Sequence, residues 1–167
     1  MIQINIGDKA GNENGVPFTP IPPANRGSFR WARRKMFDIA RGNPRANSYF
    51  RSLPGGRSFT NLINDNSLWI HFDPTLPDFG ATFHNNDLWV GPSAIQVGKW
   101  TILATIIHEL AHINGAGGSA TGLACPTLTP ACHAAERAVL ECGLGKRSEL
   151  TTGVDDPHTP YDPGTAG

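Results

Sequence analysis

The stretch from Trp100 to Asn114 constrains this chain most, because its apolar residues recur at helical spacing on nearly every side. Ile102, Leu103, Ile106, Ile107 and Leu110 cover most sectors of such a helix, which therefore belongs in an interior. The remaining sector carries His108, Glu109 and His112. Residues four apart stack on one side of a helix, so His108 and His112 present two imidazoles to one point. Glu109 projects about 100° round from His108, close enough to take a proton from metal-bound water without displacing an imidazole. Thr101, Ala104 and Thr105 continue the histidine side toward the helix start. The expected arrangement is a core helix whose polar edge opens into a cleft.

Histidines and a carboxylate are costly in so apolar a setting without partners, and a metal ion gives them a reason to be there. His-Glu-x-x-His on a helix supplies two zinc ligands and, in the glutamate, a general base for a water that zinc activates. The same five-residue pattern arises by chance in unrelated helices, where the histidines are ordinary core residues. Here it sits mid-helix, in a strongly apolar helix, directly after strand-like sequence. That context favours the metal.

Catalytic zinc needs a third protein ligand and one open position. The run from His108 to Gly115 keeps the metzincin spacing, but Gly118 stands where that class has its third histidine, and glycine has no ligand to offer. The third ligand must then lie downstream. A second helix is expected from about Pro130 to Cys142, with His133 and Glu136 three apart on one face. Glu136 is the favoured ligand by analogy with His₂Glu sites, with His133 beside it in an outer shell, or the reverse. A surface Glu136 paired with Arg137 or Arg33 is the plain alternative, and Asp155, Asp156 and His158 form a further ligand source. His71, His84, His158 and Tyr161 are candidate oxyanion donors.

Elsewhere the chain is less specific. Fourteen Lys and Arg against 14 Asp and Glu leave no net field to attract nucleic acid or an anionic membrane, and no apolar run is long enough to span a bilayer. The 19 Gly and 14 Pro indicate a loop-rich domain rather than a helical bundle. Residues 1–27, with their Gly/Asn/Pro clusters, read as a linker or surface arm. Ser28 to Arg41 reads as a helix, with Phe29, Ala32, Met36, Phe37 and Ala40 on one face and a solvated basic face of Arg30, Arg33, Arg34 and Lys35. Asn43-Pro44 opens another short segment. Leu68 to Phe72 is a strand, and Ala81 to His84 with Asp87 to Val90 a hairpin about Asn85-Asn86. Residues 151–167 read as an irregular tail. Of the three cysteines, Cys125 and Cys132 flank a loop that a disulfide would close in an oxidising compartment.

Arg57 to Thr60, Leu68 to Pro74, Gly98 to Thr101, His108 to Gly115, His133 to Glu136 and Cys142 to Leu144 together resemble the zincin metallopeptidase domains at the C-termini of Rhs-type polymorphic toxins and type VI secretion spike proteins. The longer loop from Gly117 to Thr129 departs from that pattern. The resemblance implies an antibacterial effector carried into a target cell by a larger secretion-system protein, acting in the periplasm rather than the cytoplasm, and held by a cognate immunity protein in the producer.

The reading is an α+β, zincin-like domain over residues 28–150. It has a small twisted sheet with a hairpin edge, packed on the active-site helix, and a second helix bearing a ligand. Zinc is the expected cofactor, held by His108, His112 and Glu136, with Glu109 as general base and a peptide or protein as substrate. The alternatives are a zinc amidase acting on cell-wall peptide and a non-catalytic module stapled by zinc.

Overall fold

Alternation along two short segments gives each an apolar face, Ile70 with Phe72 and Leu88 with Val90, and a face that mixes tryptophan with a polar residue, and these segments pair in parallel as β4 (Trp69–Phe72) and β6 (Asp87–Val90). The computed structural model describes residues 1–83, 85–117, 134–145, 155 and 157. β5 (Gly80–Thr82) runs antiparallel along the outer side of β6, and β1 (Gln3–Ile4) lies parallel to β4 at the other edge, giving the order β1-β4-β6-β5. β2 (Asn12–Glu13) and β3 (Val16–Pro17) form a separate antiparallel ribbon.

The expected hairpin edge is present, but β5 starts at Gly80 and ends at Thr82, and its register, Thr82 opposite Leu88, differs from that of a two-residue Asn85-Asn86 loop. The first 27 residues differ from the expected linker or arm. Their opening supplies an edge strand, and Ile2, Ile4 and Ile21 are buried in the core. A two-residue strand is too short for alternation to reveal it.

α1 (Arg26–Gly42) buries Phe29, Ala32, Met36, Ile39 and Ala40, as helical spacing requires, and begins ahead of Ser28. α2 (Pro44–Ser52) starts with Asn43, whose side chain accepts from the Arg45 N–H at 3.1 Å. Two short helices are hidden from periodicity: α3 (Phe59–Asn64), capped by Ser58, and α4 (Pro92–Val97), which leads through Gly98 into the next helix. That helix, α5 (Lys99–Ile113), is buried from Thr101 to His112, and α6 (Ala134–Glu141) packs alongside it. α5 also lies against α1, β5 and β6, so it is the element around which the core closes. Ile106, Ile107 and Leu110 are fully buried there, each contributing on the order of 2 kcal/mol. Among the described residues, no helix is long and apolar enough to cross a membrane.

The register gives the sheet two distinct faces. Gly80, Thr82, Leu88, Val90 and Ile70 lie toward α5, while Trp69, His71, Asp87 and Trp89 lie on the other face, beneath Phe18.

Candidate functional site

His108, Glu109 and His112 sit on the C-terminal half of α5, only 2%, 3% and 5% exposed. The expected open polar edge is therefore closed over. The two imidazoles meet through their Nε2 atoms, 2.9 Å apart. His112 Nδ1 lies 3.0 Å from the Ala116 carbonyl, which can only accept, so Nδ1 carries the proton and the Nε2 lone pair points at His108.

The turn that holds this carbonyl follows from local sequence. Asn114-Gly115 ends the helix with Gly115 at φ 87°, a conformation glycine adopts without strain. The Ala116 N–H then donates to Ala111 O and the Gly115 N–H to His112 O, a Schellman closure that brings the next carbonyl back over His112. Asn114 locks the turn in place: its Nδ2 donates to Phe50 O and Arg57 O, and its Oδ1 accepts from the Arg57 N–H.

Glu109 lies under the edge strand. A Cβ at Gly80 would stand 2.5 Å from Thr105 Cγ2 and 2.8 Å from Glu109 Oε1, so only glycine lets β5 come down on this part of α5. The hydroxyls of Thr101 and Thr105, two turns and one turn ahead of Glu109, are buried and, among the described residues, have no hydrogen-bond partner. They extend a polar track along the helix toward the carboxyl.

Glu136, on α6, is 4% exposed, which rules out the surface pairing; Arg137 instead meets Glu141 at 3.4 Å. Both ends of α6 are tied to the α2 region. Tyr49 Oη donates to Ala134 O at 2.8 Å, and Asn43 Nδ2 donates to Glu141 O at 2.7 Å. These bonds fix the helix that carries Glu136.

Among the described residues, burial and neighbouring carboxyls set the electrostatics of the site. Burial pushes the Glu109 carboxyl up to about 8, and the carboxyls of Asp78 and Glu136 add to the shift. Burial also raises Glu136, to about 7, and burial with the neighbouring His112 holds His108 well below the usual imidazole value. Neutral imidazoles beside carboxyls that resist ionising form an environment a cation would improve. Two imidazole nitrogens about 2.0–2.1 Å from one tetrahedral ion are about 3.3 Å apart, a small opening from the observed 2.9 Å. The His112 bond to Ala116 is of the kind that orients metal-binding imidazoles. The pair thus fits a metal. Among the described residues, however, no three His, Cys, Asp or Glu side chains form a group able to hold an ion. Glu136 shares the interior with the pair without completing it.

A scan against protein-family models finds no match, and searches of curated proteins and of solved structures find none either.

The remaining sequence candidates separate clearly. Asp155 accepts from the Trp100 N–H at 2.7 Å, and a Cβ on Gly98 would fall 2.3 Å from its carboxyl carbon. It caps the start of α5, eight residues and about 12 Å along the axis from His108, and is no ligand for the pair. His71 lies on the far side of the sheet from Glu109, which removes it as an oxyanion donor. His84, Gly118, Cys125, Cys132, His133, Asp156, His158 and Tyr161 lie outside the described residues. Sequence reasoning missed Asp78, Gly80 and the Ala116 carbonyl. Only the last had a signal, in Asn114-Gly115 after a helix.

Proposed function

We propose that the chain is a zinc-dependent hydrolase of zincin type, and specifically a metallopeptidase. The observation that carries this reading is the buried, converging pair of His108 and His112 Nε2 atoms with His112 oriented by Ala116. His108 and His112 would hold zinc, with Glu136 as the third ligand from α6. Bound there, zinc would supply Lewis acidity, lowering the pKa of a water and polarising a carbonyl. Glu109 would take the proton of the attacking water and pass it to the departing amine, so its carboxylate is regenerated. A cation at the imidazoles would favour the carboxylate form of Glu109 that this role needs.

The position of β5 supports an extended peptide as substrate. Among the described strands it is the outer one, and its Gly80 touches Glu109, so a peptide pairing along its outer edge would bring a backbone amide beside the general base. Delivery as an antibacterial effector, with a larger carrier and an immunity protein, rests on the resemblance of residues 57–145 alone.

Zinc-loaded protein tested on quenched fluorogenic peptides checks the reading. Glu109→Gln should keep zinc and fold while lowering turnover by about a hundredfold. Near-wild-type turnover in that variant would remove Glu109 as base. Zinc binding with no hydrolysis of peptides or cell-wall fragments would leave only a stapled module.

A further inference from the structure

A different part of the molecule gathers cations around two indoles. Arg30, Arg34 and Arg41 on α1 are exposed and Lys35 is half-buried, while Lys99 is exposed at the start of α5. Trp31 and Trp100 meet edge to face, their centroids 4.7 Å apart. Lys99 Nζ lies 4.9 Å from the Trp31 centroid and Lys35 Nζ 5.8 Å from that of Trp100, so the ammonium groups are held over the rings. Beside them is a cavity of about 410 Å³, with Met1, Trp31 and Phe37 as apolar lining and Arg34, Lys35 and Arg41 as cations. Asp38 also lines it and pairs with Arg41 at 2.8 Å. Behind this surface, burial and then Arg30 and Arg34 hold Arg33 below the ordinary guanidinium value, so these cations repel one another.

We propose that this groove along α1, beside the start of α5, is a docking site for an acidic segment of a partner protein that also carries apolar side chains. The charge on this face contrasts with a chain that is neutral as a whole, so it is a local feature that carboxylates would complement. Arg30 to Arg41 spans about 16 Å along the helix, the length of about five extended residues. A small anion cannot reach across it. Trp31 and Phe37 offer the apolar anchor, and tryptophan with arginine is the pairing that interface hot spots favour. Single-stranded nucleic acid fits less well: it needs free ring faces for stacking, and here the indoles meet each other and carry ammonium groups. This docking site stands independently of the zinc reading.

The test uses the full chain with three probes at low salt: a soluble peptide of Glu-Glu-Leu repeats, its Lys-Lys-Leu counterpart and an oligothymidylate of similar length. Affinity is followed by tryptophan fluorescence and the contact surface by amide chemical shifts. The acidic peptide should bind at least about tenfold more tightly than the basic one, weaken as salt rises, and shift amides of α1 and the start of α5. Arg34→Glu with Lys35→Glu should lower its affinity by about tenfold or more without changing the melting temperature. If that pair fails to fold, Arg30→Glu with Arg41→Glu, both exposed, should give the same loss. Equal binding of the two peptides, tighter binding of the oligothymidylate, or shifts elsewhere would overturn the proposal.

Discussion

The two faces of the sheet each hold a buried histidine cluster, and the clusters are built on opposite electrostatic plans. On the far face, the Asp87 carboxylate, an acceptor, accepts from His71 Nε2–H at 2.7 Å, the Asn5 amide lies 3.0 Å from His71 Nδ1, and Lys9 completes an ion pair with the same carboxylate. Phe18 and Trp69 receive the Lys9 ammonium over their rings. Burial alone would raise Asp87, but the bonds from His71 and Lys9 and the Lys9 charge outweigh it and hold the carboxyl below its ordinary value. Around His108 the carboxyls are raised instead, with further carboxyls as neighbours. The far cluster supplies its own cation, whereas the α5 cluster, on the reading proposed above, takes one from outside.

Zinc addition should separate the clusters most. At a thousandfold excess over its dissociation constant, a ligand that binds only the folded chain adds about 4 kcal/mol of stability. Wild type should gain an increment of that kind in thermal denaturation, and His112→Ala should lose nearly all of it. Asp87→Asn should keep it. An equal loss in both variants would erase the distinction between the clusters.

Next in size is the intrinsic stability of the far cluster. Asp87→Asn removes a charge-assisted partner from His71 and Lys9 and should cost about 2 kcal/mol in denaturant unfolding of metal-free protein. Because the folded Asp87 pKa is depressed, its contribution is full above the unfolded value of about 3.9 and disappears as pH falls through the folded one. The deficit of the variant should therefore shrink on acidification below about pH 4. A deficit that grows with acid would contradict the assignment.

The smallest effect belongs to the helix start. Asp155→Ala removes the carboxylate bonded to the Trp100 N–H and should lower stability by about 1 kcal/mol or less, leaving zinc affinity unchanged. A marked loss of zinc would return Asp155 to the ligand set.

The clusters also differ in how legible they are in the sequence. His108, Glu109 and His112 share one helix, so a spacing of four is enough to place the two imidazoles together. Glu136 is expected to approach α5, and it does lie buried on the helix packed there. The far cluster joins residues separated by up to 78 positions, from Lys9 to Asp87, through strand register, and nothing local announces that pairing. The same limit hides β1, whose two residues matter only because Ile4 falls opposite Ile70. Ser58 before Phe59 and Gly91-Pro92 are usable helix starts, but segments of six residues are too short for a hydrophobic period to appear.

The central claim is that α5 and α6 converge on one ion, and zinc-edge X-ray absorption of protein loaded with one equivalent tests it most directly. The account predicts imidazole nitrogens from His108 and His112 and a carboxylate oxygen from Glu136, all at about 2.0–2.2 Å. The imidazole signal should be lost in His112→Ala, and in Glu136→Ala zinc affinity should fall by about ten- to a hundredfold. Failure to retain zinc, a shell dominated by sulfur at about 2.3 Å, or a spectrum unchanged in both variants would contradict it.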